Sequence, residues 1–152
     1  MVSEGLWIAA VLGSGLAAGV LFAVAVSIVP ALRDLPPDRY IQAHQLLGRN
    51  WDPVMPIIVL GATVADVLLA LFVGSGAGRA FFATGAALLF GSALVSQFRN
   101  VPLNREVKRL DPHAGPPPGW RDPRPQWRRW HLVRTSLAGL AFVVNAVVAV
   151  GY

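Results

Sequence analysis

Leu6-Trp7-Ile8-Ala9-Ala10-Val11-Leu12-Gly13-Ser14-Gly15-Leu16-Ala17-Ala18-Gly19-Val20-Leu21-Phe22-Ala23-Val24-Ala25-Val26-Ser27-Ile28-Val29-Pro30-Ala31-Leu32 carries no charged side chain from end to end. About 20 apolar residues in a row cross a bilayer core as a helix. Only Glu4 precedes the run, and no Lys or Arg does. A secretory leader has a basic start and a shorter apolar core, so the run reads as a retained first span. Three more apolar blocks follow: Pro56–Val73, Ala80–Phe98 and Leu132–Val150. Residues 1–152 thus form a single membrane unit with spans at about 6–32, 56–73, 80–98 and 132–150. The fold class is all-α, an integral membrane four-helix bundle.

Composition agrees. The chain is 55% hydrophobic and 14% charged, against about 25% charged in soluble domains. It has no cysteine, which excludes disulfides, thiol nucleophiles and Cys-ligated metals. The net charge of +5 does not indicate nucleic acid, because the cations flank the spans. Arg33, Arg39 and Arg49 follow span one, and nine of the 13 Lys and Arg lie between spans three and four or at their edges. Arg79 alone falls on the opposite side. The positive-inside rule places both longer loops in the cytoplasm and both termini outside.

Three connecting segments complete the layout. Asp38–Trp51 reads as a short cytoplasmic amphipathic helix between spans one and two, with Tyr40, His44, Leu47 and Trp51 on one face. Pro53 and Pro56 are expected to stop it. Gly74–Arg79 reads as a tight Gly-rich turn, and 110–126 as a Pro-rich cover or loop. Gly15 with Gly19, Gly61 with Ala65, and Ala83, Ala87 and Gly91 have the small-xxx-small spacing of close helix packing.

The chemistry-bearing residues collect where apolar blocks meet water. Gln97-Phe98-Arg99-Asn100-Val101-Pro102-Leu103-Asn104 closes span three, and Trp130-His131-Leu132-Val133-Arg134-Thr135 opens span four. His131 is the candidate general base. Arg134, one turn on, would keep that imidazole neutral and stabilise an oxyanion. Pro102 should break the helix, leaving Asn100 to project toward substrate and Asn104 to support the frayed end. Arg99, Gln97, His44, Trp51 and Trp130 are candidate substrate contacts. Trp120 and Trp127 read as an interfacial aromatic belt. In mid-membrane, Asp66 and Asn145 should lie at one depth and hydrogen-bond, Asp66 being suspect because intramembrane ionisable residues are costly. On span four, His131, Arg134/Thr135, Ala138, Phe142, Asn145 and Ala149 form one stripe; on span three, Gly85, Ser92, Ser96 and Arg99/Asn100 do.

No metal site is expected. His44 and His131 together would supply only two ligands, with no His-x-x-x-His pair beside them. No phosphate-binding loop, dinucleotide fingerprint or nucleophile elbow is present.

At Asn100-Val101-Pro102-Leu103-Asn104 and Trp130-x-x-x-Arg134-Thr135 the chain resembles the anthrone oxygenase-like family of small four-span membrane proteins. His44-Gln45 and Met55-Pro56 resemble that family's first loop. The resemblance implies a cofactor-independent monooxygenase that oxidises anthrone-like polyketides, with dioxygen as co-substrate. The family motif supplies only the positions; their chemistry suggests His131 as base, Arg134 and Asn100 as oxyanion partners and Asn104 as support. Partners would be a hydrophobic aromatic molecule and the bilayer, with self-association into a homo-oligomer allowed. Two other readings remain: a non-enzymatic membrane subunit or exporter component, and a metal- or haem-dependent redox protein.

Overall fold

The computed structural model describes residues 2–151 apart from 74 and 75, with the backbone alone at 2, 50, 52 and 53. Helix α1 (Val2–Ala23) continues through a π turn (Val24–Ile28) into α2 (Val29–Asp34). Helix α3 (Pro37–Leu68) ends in a second π turn (Leu69–Val73). Helix α4 (Gly76–Val95) passes through a third (Ser96–Asn100) into α5 (Val101–Lys108), and α6 (Arg124–Gly151) closes the chain. Four segments are long and apolar enough to cross a membrane: Ser3–Asp34, Val54–Val73, Gly76–Lys108 and Arg124–Gly151. No strand occurs among the described residues.

Helices α1 and α4 each pack against both α3 and α6, giving a ring of four. The bundle is apolar outside and small inside. Ile57 and Phe72 are more than 70% exposed, while Ala10, Ala17, Ala62, Ala138 and Ala141 are buried. Lipid tails are as apolar as leucine, so burying large apolar side chains between helices gains little there. Close backbone approach gains dispersion instead. One such close approach is at Gly13, where an added methyl would stand 2.7 Å from the Ala62 Cβ. The expected packing pairs fare differently, since Gly19 and Gly61 face open space.

Burial along α6 falls on His131, Ala138, Ala141, Asn145 and Val148. That spacing is the 3.5-residue seam of near-parallel packed helices. A 3.6-residue stripe drifts off it, which is why Phe142 and Ala149 are exposed.

Prolines shape the helices without breaking them. Pro30 and Pro102 each stand two residues after a π turn. Each lacks the amide hydrogen that the carbonyl four residues back would accept. The ladder shifts register instead, with Val29 N–H bonding the Val24 carbonyl and Val101 N–H the Ser96 carbonyl. The break expected at Pro102 is therefore a π turn. Pro53 and Pro56 likewise lie within α3, so the amphipathic segment runs straight into span two. Its inner face holds Tyr40, Ile41 and His44, whereas Leu47 and Trp51 are exposed. The turn expected at 74–79 falls partly outside the described residues; Gly76 to Arg79 form the first turn of α4.

Candidate functional site

Among the described residues, buried polar side chains gather in two clusters at different depths. The deeper one is built from all four spans. The Asn145 amide donates to Asp66 Oδ2 at 3.1 Å and to Ser14 Oγ at 3.3 Å. Asp66, Asn145 and Ser14 are at most 1% exposed. Gly85 makes the room, because a methyl there would meet Asn145 Oδ1 and Asp66 Oδ2, each at 2.8 Å. Fourteen residues of helix separate Asn145 from His131, about 21 Å at 1.5 Å per residue. Asp66 and Asn145 thus bond one another as the sequence suggested, but they do not join the residues at the basic end.

The second cluster sits at that basic end. His131 is fully buried on α6. Its Nδ1 lies 3.1 Å from Arg134 Nε and 2.9 Å from Arg134 Nη2. A guanidinium has only donors, so Nδ1 must accept. The imidazole proton therefore resides on Nε2, which donates to the Leu21 carbonyl at 3.0 Å. Leu21 lies on α1 just before its π turn. The result is a neutral imidazole clasped by a cation. Arg134 Nη1 also donates to Ser96 Oγ at 3.2 Å, and Ser92 Oγ donates to the Arg134 carbonyl at 3.0 Å. The π turn of span three thus braces the guanidinium.

Trp127, one turn before His131, stacks on the imidazole with centroids 4.9 Å apart and planes 3° from parallel. Its Nε1–H donates to Asn104 Oδ1 at 2.8 Å. Its carbonyl accepts from the Asn100 amide at 3.2 Å. Asn100 is wholly buried, with its Oδ1 unpartnered. It does not cap α5, since it makes no capping bond. His44 meets the same indole edge-on at 5.9 Å, and Tyr40 packs on His44 at 5.4 Å. A ladder of rings runs Tyr40, His44, Trp127, His131. Holding an ion between His44 and His131 would require His131 to release Leu21 or Arg134, with Trp127 against both rings. Among the described residues no group of three or more metal-binding side chains occurs.

Outside the membrane-spanning segments, Asp122 and Tyr40 are perturbed. Burial alone would raise the Asp122 carboxyl, but the hydrogen bonds and charge of Arg124, 2.7 Å away, outweigh it and hold it low. Burial, then the Asp122 charge, push the Tyr40 phenol up against the opposing pull of Arg124. Arg124 also donates to the carbonyls of Leu32, Arg33 and Leu35, tying α6 to the end of α2.

Of the expected site residues, His131, Arg134, Asn100, Asn104 and His44 come together. Gln97, Arg99 and Trp51 are exposed. Arg99 stacks its guanidinium on Trp130 at 4.8 Å, with Arg129 at 5.7 Å from the same ring. These two cations and an indole make a rim at the basic end of the bundle. Two cavities flank the cluster, about 230 Å³ beside Tyr40 and Trp127 and about 310 Å³ beside Phe98 and Pro102. Neither is lined by His131, Arg134 or Asn100.

Sequence reading missed Trp127, assigned to the aromatic belt, along with Tyr40 and Arg124. A signal was available. An aromatic residue four before a histidine occurs twice, at Tyr40-x-x-x-His44 and Trp127-x-x-x-His131, and residues four apart on a helix touch.

No curated protein and no solved structure matches the chain. The sequence pattern named Anthrone oxygenase does match, from His44 at one end of the ring ladder to Val144 beside Asn145. That match spans residues 44–144, which hold spans two and three, most of span four and the His131–Arg134 cluster, and the chain belongs to the anthrone oxygenase family.

Proposed function

We propose that this protein is a membrane-embedded oxygenase of hydrophobic aromatic substrates, of the anthrone or related polyketide type. The observation that carries the reading is the neutral His131 imidazole, held in one tautomer by Leu21 and paired at Nδ1 with Arg134. A base and an oxyanion partner are thereby stored as one unit. When the substrate carbonyl draws Arg134 onto itself, the Nδ1 lone pair is freed at the same moment. His131 then takes a proton from the ring CH₂ beside the aromatic rings. Arg134 holds the enolate oxygen, and the unpartnered Oδ1 of Asn100 accepts a phenol O–H.

The carbanion is electron-rich enough to react with dioxygen directly. A C–O bond forms, and the peroxide anion takes the proton from the imidazolium. His131 then removes the second ring proton, the O–O bond breaks, a carbonyl forms and hydroxide leaves as water. One dioxygen is consumed; one of its oxygens enters the quinone and the other becomes water. The carbon loses four electrons and dioxygen gains four. This chemistry needs no resident cofactor. Asn104 and Trp127 orient the cluster, His44 backs the indole, and Arg99 with Trp130 anchors the rim to anionic headgroups. Charge asymmetry puts this end in the cytoplasm and both termini outside. Asp66 and Asn145 tie the bundle together.

A second reading is favoured by the full burial of His131 and the engagement of both its nitrogens. In it, His131 only locks α6 to α1, and the chain is a non-enzymatic membrane subunit. Oxygen uptake separates the two. Chelator-treated, detergent-purified protein given an anthrone should consume oxygen above the spontaneous rate, and His131→Ala protein that retains its fold should not. Equal rates with and without protein would favour the subunit.

A further inference from the structure

The cavity of about 230 Å³ between α2, the start of α3 and the start of α6 has a role that the mechanism leaves unassigned. Its walls are of four kinds. Val29, Leu32 and Pro125 are apolar, Tyr40 and Trp127 are aromatic, Asp122 and Arg124 form an ion pair, and Arg33 and Arg128 stand at an exposed rim. The walls are fastened rather than loosely apposed. Arg124 bridges three carbonyls at the end of α2 and the Asp122 carboxylate, and it lies over the Tyr40 ring at 4.9 Å. Arg124 is thereby consumed as a clasp and Arg33 pairs with Asp34 at 3.3 Å, which leaves Arg128 as the rim cation to face a guest.

Trp127 belongs to both places. Its indole lines the cavity and also stacks on His131. One ring is thus the partition between an outward-facing chamber and the imidazole–guanidinium pair. The Nε1–H bond to Asn104 holds the side chain in that position.

We infer that this cavity is a receiving chamber for a planar aromatic bearing an acidic oxygen, and that Trp127 is the door through which the aromatic reaches His131 and Arg134. The inference rests on the oxygenase reading for its occupant. Whole drug-sized ligands fill about 300–1,000 Å³, so the chamber takes one end of a fused-ring molecule and leaves the rest at the rim. The guest's ring lies against Trp127, with Tyr40 and its Arg124 cover forming the wall behind, and its phenolate or enolate oxygen lies toward Arg128. A lipid phosphate offers the same anion without the ring, and a binding experiment distinguishes them.

The probe is 1,8-dihydroxyanthraquinone, with its quenching of tryptophan fluorescence measured in nanodiscs of neutral lipid. Saturable quenching is expected in the wild type. Val29→Trp fills the chamber and should weaken binding by about tenfold or more, equivalent to about 1.4 kcal/mol. Arg128→Glu, on an exposed position that the fold does not need, should weaken it by about fivefold, the scale of one rim charge. Unchanged binding in Arg128→Glu and in folded Val29→Trp would overturn the proposal. So would loss of quenching when phosphatidylglycerol replaces neutral lipid, which assigns the chamber to lipid.

The door has its own readout. Diethylpyrocarbonate should spare His131 in the wild type and acylate it in Trp127→Ala, as read by mass spectrometry of the peptide. Equal protection in both, and again in Trp127→Ala/Arg134→Gln where Nδ1 is freed, would show that Trp127 gates nothing. Binding at the chamber without oxygen uptake would sink the oxygenase reading and leave the chamber standing; uptake without chamber binding would do the reverse.

Discussion

Asp66 and His131 are equally buried, yet they sit in opposite kinds of surroundings. Around Asp66 stand an amide, a hydroxyl and a glycine, one from each of the other three spans. No cation or aromatic ring contacts it in these bonds, and neither flanking cavity is lined by it. Around His131 stand a guanidinium, a stacked indole and a π turn; it lines neither cavity either, but one of them lies just beyond the Trp127 indole. Burial alone does not mark a site. A base is useful where a cation can move off it and a substrate can arrive. A carboxyl sealed among four helices is useful as a tie.

The largest effect should come from the basic end. His131→Ala is expected to lower oxygen uptake per folded molecule by roughly 10²–10⁴, the usual worth of a positioned acid–base group. Arg134→Lys should lose much of the rate as well, because one ammonium cannot reproduce a planar clasp on Nδ1 and Ser96. The middle should respond in stability instead. Gly85→Ala drives a methyl to 2.8 Å from two oxygens of the Asp66–Asn145 tie. Overpacking of that kind costs about 1–3 kcal/mol, and a shifted denaturation midpoint in mixed micelles should reveal it. Smaller still is Asp66→Asn, which keeps the shape and can rebuild an amide pair. Its uptake per folded molecule should match the wild type. If it falls as far as His131→Ala does, the distinction between tie and site is wrong.

Much of this architecture could be read from residues alone. Four uncharged or nearly uncharged runs forced four helices, because no other structure with open ends satisfies its backbone in lipid. The union of Asn100, Asn104, His131 and Arg134 followed from their shared membrane edge, and the Asp66–Asn145 bond from matched depth. What escaped has physical reasons. Pro102 looked like a break because proline removes a donor, but a register shift to i→i+5 bonding absorbs that loss at the cost of one turn's regularity. Phe142 and Ala149 looked buried under a 3.6-residue period, whereas packing against neighbours selects 3.5. Trp127 looked like a belt residue because tryptophans collect at interfaces. Its contacts with the imidazole four residues on and with Asn104 and His44 separate it from Trp130, which does lie at the rim with Arg99 and Arg129. Gly13 was passed over for Gly15 and Gly19 because spacing alone does not say which side of a helix meets a neighbour.

The finest test of the comparison uses pH, because the basic end holds its chamber together with titratable groups. Asp122 has its folded pKa lowered. Its contribution is therefore present above the ordinary carboxylate range near about 4 and is lost as pH falls through the lower folded value. Tyr40 has its folded pKa raised. Its contribution is present below about 10, the ordinary phenol value, and is lost as pH rises through the folded one. The clasp of Arg124 on α2 should thus be intact between these limits and loosen on either side. Trp120 packs near Tyr40, at 6.4 Å between centroids, and reports the loosening through its fluorescence. The expected profile is a plateau with an acid limb and an alkaline limb. Tyr40→Phe should keep the acid limb and remove the alkaline one, since a phenyl ring packs under Arg124 without an ionisable oxygen. Asp122→Asn should flatten the acid limb. An alkaline limb that survives in Tyr40→Phe would assign the loosening to another group and remove the phenol from the wall of the chamber's clasp.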